Sequence, residues 1–107
     1  MTLVDLSRNC LAWARARAAE SDVTLAKTIH ASATDLHELA SNAFDAVLLM
    51  GPLYHLLDAT ERARAVREAH RVVRPGGLVF AAFITRYAPF REGAARCPAE
   101  PIELPGL

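Results

Sequence analysis

The sequence predicts an α/β fold with a mostly parallel sheet. Two runs, FDAVLLM at 44–50 and LVFAAFI at 78–84, have the continuous apolar character of strands that are buried on both faces. The segment between them, DATERARAVREAHRVV, has helical periodicity, and a helix that connects two strands favours a parallel pair with a right-handed crossover. A chain of 107 residues with 52% hydrophobic residues can form one small domain with a core.

The first half of the chain predicts a strand, a helix and a second strand. TLVDL has the character of a short buried strand, and the alanine- and arginine-rich segment 7–21 predicts a helix that Asp5 or Ser7 could cap. VTLAKTIHAS predicts a strand because of its β-branched residues, and ATDLHELASNA predicts a turn or a short helical turn. The inward face of the helix, from helical spacing, is expected to carry Leu6, Cys10, Trp13 and Ala14.

The second half predicts a strand, a helix and a final strand. Asp58 and Glu61 have the spacing of a capping box at the start of the helix. Pro75 ends the helix, and the two glycines after it allow a tight turn before LVFAAFI. The inward stripe of this helix is expected to consist of Ala63, Val66, Ala69 or His70, and Val73, with arginines on the outer face.

The end of the chain has no periodic pattern after Tyr87, and it carries four of the 6 prolines. We therefore expect a domain over residues 1–90 and a disordered tail over residues 91–107.

Composition excludes several classes of function. Lysine and arginine (12) balance aspartate and glutamate (12), which argues against nucleic acid or an anionic membrane as the main partner. No apolar run approaches the roughly 20 residues that span a bilayer, and no signal peptide is evident, so we expect a cytoplasmic protein. The 2 cysteines have no CxxC spacing. His30, His37 and His70 lie on a strand, a turn and a helix with no shared spacing, so they are interpreted as ordinary residues and no metal site is predicted.

Four segments carry motifs of a known family. They are VDLSRNCLAWAR, with an acid that closes a strand; ASATDL; FDAVLLMGPLYHL, a strand with its exit loop; and REAHRVVRPGGLVFAAFI, a helix, turn and strand. Their order and spacing resemble the class I S-adenosylmethionine-dependent methyltransferases, in the branch described as methyltransferase type 11. The resemblance spans roughly Leu3 to Phe90. It implies a Rossmann-like three-layer sandwich, S-adenosylmethionine as cofactor and a small-molecule methyl acceptor.

The resemblance implies where the adenosine part of the cofactor would bind. Ligands of open α/β sheets bind at the carboxyl ends of the strands. Asp5 would accept hydrogen bonds from both ribose hydroxyls; its position alone favours a helix cap, and the other motifs in register favour ribose binding. Leu6 would lie against the adenine ring, or belong to the core. Ser32 stands where many members have an aspartate for the adenine amino group, and Ala33 would offer its backbone. Asp35 is better explained as a solvent-facing turn residue.

The exit loop of the third strand is implied to edge the reaction site. Gly51 and Pro52 would shape the loop near the reacting methyl group. The aromatic face of Tyr54 would favour the positive sulfonium, and His55 could take a proton from the acceptor. Methyl transfer often needs positioning more than a base, so a structural role for His55 is an equal alternative.

The family's glycine-rich first motif has no counterpart in this sequence. Only four residues precede Asp5, and none of the 5 glycines forms G-x-G, so the first strand and the last strands of the family sheet are expected to be missing. We therefore expect a methyltransferase fragment that is not active alone. The alternative is a non-catalytic α/β domain that binds a partner, or itself, through an exposed sheet edge.

Overall fold

The computed structural model describes residues 1–96, and the predicted order of strands and helices is confirmed. Two further helices, α2 and α4, follow the third and fourth strands and were not predicted from the sequence. The elements are β1 (Thr2–Asp5), α1 (Arg8–Glu20), β2 (Lys27–His30), β3 (Phe44–Leu49), α2 (Pro52–His55), α3 (Ala59–Val72), β4 (Val73–Ala81) and α4 (Ala88–Arg96).

The sheet is divided into two parallel pairs. β1 pairs with β2, with Asp5 opposite His30, and β3 pairs with β4, with Leu48 opposite Phe80. Within residues 1–96 no ladder joins β1 to β3. α1 packs on the first pair and α3 on the second. The parallel direction of the strands is therefore as predicted, and the sheet is small and incomplete.

Of the residues predicted for the inward face of α1, Ala14 is half-buried, whereas Leu6, Cys10 and Trp13 are exposed. Ser7 is the N-cap, because its hydroxyl accepts the N–H of Cys10 at 3.2 Å. The buried residue of the helix is Leu11, 2% exposed, whereas Trp13 is 67% exposed and Cys10 is also exposed. Leu11 faces the strands, with half-buried Ala14 about one turn further on. The small side chain of Ala14 lets the helix lie close to the sheet. Trp13 is two residues, or roughly 200°, further around the helix.

The inward face of α3 is also rotated from its predicted position. Asp58 caps the helix by accepting the N–H groups of Thr60 and Glu61, as the spacing predicted. Val66, however, is 47% exposed, and Ala63 and His70 are exposed as well. The predicted stripe is right only at Ala69 and Val73. The buried stripe is Ala65, Ala69 and Val72, because alanine at two successive turns brings the helix backbone close to the sheet.

The RPGG segment is a bulge in β4 rather than a turn before it. β4 begins at Val73, directly after α3, so that residues 74–77 stand opposite Asp45 alone before the ladder resumes at Leu78. Gly76 has φ +78°, a conformation that side chains disfavour. A Cβ on Gly77 would lie 2.7 Å from the carbonyl oxygen of Asp45. A side chain therefore lacks space at Gly77, whereas at Gly76 it is disfavoured only by the backbone conformation.

The β3–β4 pair is not buried on both faces, which corrects the prediction from its apolar runs. Partners in a parallel ladder project to the same face, which places Ala46 and Leu78 beside Leu48 and Phe80. Leu48 is 65% exposed, Leu78 61% and Phe80 49%. The opposite face carries Leu49, which is 6% exposed and packs toward α3. Among residues 1–96 no element covers the exposed face.

An ionic clamp holds the loop before β3 against α3. The carboxylate of Glu68 accepts the N–H of Leu36 at 2.7 Å and two hydrogen bonds from the guanidinium of Arg71, each at 2.8 Å. Arg71 also donates to the carbonyl oxygens of Leu36 and Leu39, both at 2.8 Å. These bonds tie the segment after β2 to the helix beside β3, so they join the two strand pairs that no ladder connects.

The end of the described chain differs from the sequence-based expectation. The predicted boundary at residue 90 falls inside α4, which continues to Arg96. Pro89 is tolerated there because the first turn of a helix needs no N–H partner. The remainder of the predicted tail, residues 97–107, lies outside the described residues. In the part of the chain that the structure describes, no helix is long and apolar enough to cross a bilayer.

Candidate functional site

The predicted site residues all follow the carboxyl ends of strands. Asp5 ends β1 and Leu6 comes after it, Ser32 and Ala33 follow β2, and the segment from Gly51 to His55 follows β3. Because β1 runs parallel to β2, the first four residues share one edge of the first strand pair. The carboxyl edge of a parallel sheet is the usual place for a ligand in an α/β fold.

Asp5 forms a local turn and leaves part of its carboxylate available. Its Oδ1 accepts the N–H of Ser7 at 2.7 Å, while the capping bond of α1 comes from the Ser7 hydroxyl. The side chain of Asp5 is half-buried, and among the described residues Oδ2 has no hydrogen-bond partner. The helix-cap explanation of Asp5 is therefore not needed, because Ser7 performs that role.

Leu6 is a surface residue and not part of the core. Its side chain is 70% exposed, directly after Asp5. Its carbonyl oxygen is 2.9 Å from Nε2 of His30, which stands opposite Asp5 in the ladder. The sequence analysis treated His30 as an ordinary strand residue. Only the register between β1 and β2 brings it to this turn, so spacing along the chain carried no signal for it.

Ser32 is held by a local hydrogen-bond turn. Its hydroxyl oxygen accepts the N–H of Thr34 at 3.2 Å and lies 2.8 Å from the Thr34 hydroxyl. Both residues are half-buried, as is Ala33 between them. If the Ser32 hydroxyl donates to Thr34, its second lone pair stays available to a further donor. Thr34 was not predicted as a site residue, although its position two residues after Ser32 suits such a turn.

Asp35 belongs to the surface, as expected of a turn residue. It is exposed, and its Oδ1 accepts the backbone N–H of His37 and lies 2.9 Å from the His37 ring nitrogen Nδ1. The hydrogen bond from the His37 side chain lowers the pKa of Asp35. This pair points to a stabilised loop and not to a place for the cofactor.

The exit loop of β3 makes a tight turn at Gly51. Gly51 is buried with φ +118°, a region that side chains disfavour. Its carbonyl oxygen accepts the N–H groups of Tyr54 and His55, both at 3.1 Å. Pro52 begins α2, where its missing N–H costs nothing. The tyrosine and histidine rings then lie with centroids 4.8 Å apart at an interplanar angle of 53°.

The chemistry available in this loop is an aromatic ring beside an imidazole. Tyr54 is half-buried and His55 is exposed, so the imidazole is accessible to a proton donor from solution. A Cβ on Gly51 would lie 3.9 Å from the Tyr54 hydroxyl and 3.7 Å from the His55 ring. The structure thus brings Gly51, Pro52, Tyr54 and His55 together, and separately brings Asp5 and Leu6 together with His30. No hydrogen bond of the described residues joins the two groups.

Two surface clefts lie away from the predicted site residues. One, of about 540 Å³, is formed by the loop after β2 and the outer face of α3, with Asp35, Arg64, Arg67 and Arg71 in its walls. The other, of about 480 Å³, lies between the end of β4 and α4 and includes Phe83 and Ile84. Neither cleft includes a predicted cofactor or catalytic residue.

Comparison with known proteins identifies one family. The model of the methyltransferase domain family matches residues 1–81. That range contains every residue that the sequence analysis placed in the cofactor and reaction sites, from Asp5 to His55.

A curated relative is demethylluteothin O-methyltransferase from Streptomyces thioluteus, which is 38% identical over 86 residues. The match covers 78% of this chain and 36% of the relative, so the chain spans about a third of that protein's length.

A similar solved structure is that of the PH0226 protein from Pyrococcus horikoshii OT3. It has 21% sequence identity and a TM-score of 0.70, and the match covers 89% of this chain and 42% of that chain. The likeness confirms the predicted Rossmann-like α/β fold with an incomplete sheet.

Proposed function

The chain belongs to the methyltransferase domain family, and on that basis we propose that it is part of an enzyme that methylates a small molecule with S-adenosylmethionine. The observation that carries the proposal is the family match over residues 1–81, which includes all of the predicted site residues. The curated relative is named an O-methyltransferase, which supports a hydroxyl group of a small molecule as the acceptor. A cytoplasmic location remains a prediction from the sequence.

The carboxyl edge of β1 and β2 would hold the adenosine part of the cofactor. The free Oδ2 of Asp5 suits the ribose hydroxyls, because a carboxylate is a strong acceptor of two such hydrogen bonds. The exposed side chain of Leu6 offers an apolar surface to the adenine ring. The remaining lone pair of Ser32 and the backbone of Ala33 would contact the edge of the base.

The loop after β3 would face the reacting methyl group. When bound, S-adenosylmethionine supplies an electrophilic methyl group on a positively charged sulfonium. The aromatic face of Tyr54 attracts such a cation, and the buried Gly51 with Pro52 holds the loop in the required shape. His55 is exposed and could accept the hydroxyl proton that the acceptor loses as its oxygen bonds to the methyl carbon.

The role of His55 can be separated from simple support of the loop. In an active longer form of the protein, His55→Gln keeps the polar side chain but removes the base. If His55 is the proton acceptor, kcat falls by about 100-fold or more while KM changes little. If the variant is as active as the wild type, His55 is only a structural residue of the tight turn at Gly51.

Titration of the purified chain with S-adenosylhomocysteine tests the cofactor assignment. The contacts proposed for the edge of β1 and β2 reach only the adenosine part, and contacts to one part of a flexible ligand barely offset the cost of ordering it. We therefore expect a Kd of roughly 1 mM, equivalent to about −4 kcal/mol. Micromolar binding by a monomer would contradict this, because it would require another segment to grip the methionine end.

A substitution of Asp5 tests its role more sharply. In a longer form that carries a strand ahead of Thr2 ending in a glycine-rich turn, Asp5→Ala should weaken cofactor binding by about 1.5–3 kcal/mol, the value of hydrogen bonds to a charged group. Glu61→Ala is the matched control, since Glu61 is an exposed acid at the start of α3. Equal affinities of a folded Asp5→Ala variant and the control would reduce Asp5 to a turn residue.

A second function, self-association, is favoured by the open sheet. Within residues 1–96, β1 and β3 each pair with only one other strand, and unpaired strand edges recruit other strands. The exposed face of Leu48, Leu78 and Phe80 would add apolar area to such a contact. Sedimentation equilibrium distinguishes a monomer from a dimer. A dimer that Leu48→Lys dissociates would support the interface, whereas a monomer at about 100 μM, well above the range of stable dimers, would exclude it.

A further inference from the structure

The turn at the end of β1 is fixed by hydrogen bonds at three successive residues. The carbonyl oxygen of Asp5 accepts the N–H of Ala31 at 3.2 Å, which continues the β1–β2 ladder by one step. The carbonyl oxygen of Leu6 lies 2.9 Å from Nε2 of His30, and the N–H of Ser7 donates to Oδ1 of Asp5 at 2.7 Å. Of these three bonds, the one to Leu6 is the only one made by a side chain of the neighbouring strand.

The direction of the bond between His30 and Leu6 follows from the chemistry of the carbonyl group. A carbonyl oxygen can only accept, so Nε2 of His30 carries a proton and donates it. Both the neutral ring with its proton on Nε2 and the protonated ring can do so, and the bond therefore does not depend on the charge of His30. Because His30 stands opposite Asp5 in the register, its ring spans the space between the strand end and the turn.

The bond from His30 affects the two groups that would contact a nucleoside, the Leu6 side chain and the Asp5 carboxylate. Leu6 is 70% exposed, so the direction of its side chain depends chiefly on the backbone of the turn. The same backbone sets the angle at which the free Oδ2 of Asp5 leaves the strand, because Oδ1 is already tied to Ser7. A bond that holds the Leu6 carbonyl therefore acts on both the apolar surface and the carboxylate.

We propose that His30 is a positioning residue of a nucleoside site at the end of β1. By holding the carbonyl of Leu6, it orients Leu6 for the base and the carboxylate of Asp5 for the ribose hydroxyls. The proposal rests on the proposed function, because it takes the adenosine part of the cofactor as the ligand. It adds a residue from β2 to a site that the sequence analysis built from other positions.

Adenosine and 2′,3′-dideoxyadenosine are the probes that test the proposal. The second compound lacks both hydroxyls, so the ratio of the two dissociation constants reports how well the Asp5 carboxylate meets the ribose. Both constants are measured on the whole chain by chemical-shift titration, which tolerates millimolar affinities. The variants are His30→Ala, which removes the donor, and His30→Gln, whose amide N–H can replace it. His37→Ala is the matched control, because His37 is an exposed histidine whose ring bonds only to Asp35 among the described residues.

The expected pattern is specific to positioning. The wild type and the His37→Ala control should bind adenosine several-fold more tightly than the dideoxy compound. In His30→Ala, adenosine affinity should fall by about 3- to 10-fold, the size of one net hydrogen bond, and the preference for the ribose hydroxyls should be lost. His30→Gln should recover most of both. Thermal melts of the same samples separate this pattern from unfolding.

Two results would overturn the proposal in different ways. If the wild type binds adenosine but His30→Ala keeps the same affinity and the same preference, His30 has no positioning role and the cofactor assignment stands. If the wild type binds neither compound, or both equally, the nucleoside site at the end of β1 is wrong, and the assignment of Asp5 and Leu6 to the cofactor fails with it, whereas the family match over residues 1–81 is untouched.

Discussion

The clamp between Glu68 and Arg71 makes a pH-dependent contribution to stability that one substitution can isolate. The Arg71 guanidinium donates to both carboxylate oxygens of Glu68, and the N–H of Leu36 donates to one of them. These hydrogen bonds, chiefly those from Arg71, lower the pKa of Glu68 from its usual 4.5 to about 2. Glu68→Gln keeps the size of the side chain and an acceptor for Leu36 but removes the charge.

The lowered pKa sets the size of the effect. At about 1.4 kcal/mol per pKa unit, a fall from 4.5 to about 2 corresponds to an upper limit of about 3 kcal/mol. The Arg71 side chain is 32% exposed and that of Glu68 is 21% exposed, so screening by water reduces the effective value. We expect Glu68→Gln to lower the free energy of unfolding by about 1–2 kcal/mol at pH 7.

The pH range follows from the direction of the shift. A carboxyl group with a lowered pKa in the folded state stabilises the protein fully above its unfolded pKa, near 4.5, and loses that contribution as the pH falls through about 2. Asp35 and Asp58 also have lowered pKa values in the folded chain, so total stability falls in the same range for several reasons. The difference between wild type and Glu68→Gln isolates the clamp.

Urea unfolding, followed by circular dichroism at pH 7, 5, 3.5 and 2.5, measures this difference. The gap between wild type and Glu68→Gln should be constant from pH 7 to 5 and should shrink toward pH 2.5. Glu61→Gln is the control, since Glu61 lies exposed on the same helix and its carboxylate makes no ion pair among the described residues. A gap that does not change with pH, or a control that behaves like the test variant, would refute the reasoning.

Two further predictions concern packing in the second strand pair. Gly77→Ala should destabilise the fold by about 1–3 kcal/mol in the same urea assay, because its Cβ would lie 2.6 Å from the Val73 side chain; an unchanged midpoint would mean that the bulge is mobile. Gly76→Ala has open space but φ +78°, so it should cost only about 1 kcal/mol. Ala69→Asp should lower the free energy of unfolding by about 3 kcal/mol or more, because Ala69 is 1% exposed and the charge would be buried. Val66→Asp should be tolerated, because Val66 is 47% exposed. Equal thermal melts for these two aspartate variants would show that the inward face of α3 is assigned wrongly.

The helix faces illustrate what sequence periodicity leaves open. Periodicity predicted α1 and α3 in the right places but put Trp13 and Val66 on the inward side, where large apolar residues are expected. The structure instead packs Leu11 and a row of alanines against the strands. Small residues carry little hydrophobic signal, yet they allow the closest approach of a helix to a sheet, so the face is decided by how near the backbones come.

The apolar strands show that the sequence also does not decide which strand faces are buried. A run such as FDAVLLM predicts a strand whether or not both of its faces are covered. Apolar residues show a tendency to be buried, but they do not show whether another element packs against them. Leu48 and Phe80 are exposed because no described element lies over them. Within residues 1–96 the structure also shows a sheet divided between β1 and β3, a separation that the apolar runs do not reveal.

By itself, the sequence determined the order of the elements, their parallel strands, the cap at Asp58 and the family. These depend on local patterns: strand and helix periods, capping spacing and motifs that each occupy a short stretch of chain. Only the tertiary structure decided which contacts form between distant segments. The bond from His30 to the Leu6 carbonyl depends on strand register, and the clamp from Arg71 to the loop at Leu36 joins residues 35 positions apart. Such pairings are set by how whole elements pack, and no short stretch of sequence specifies them.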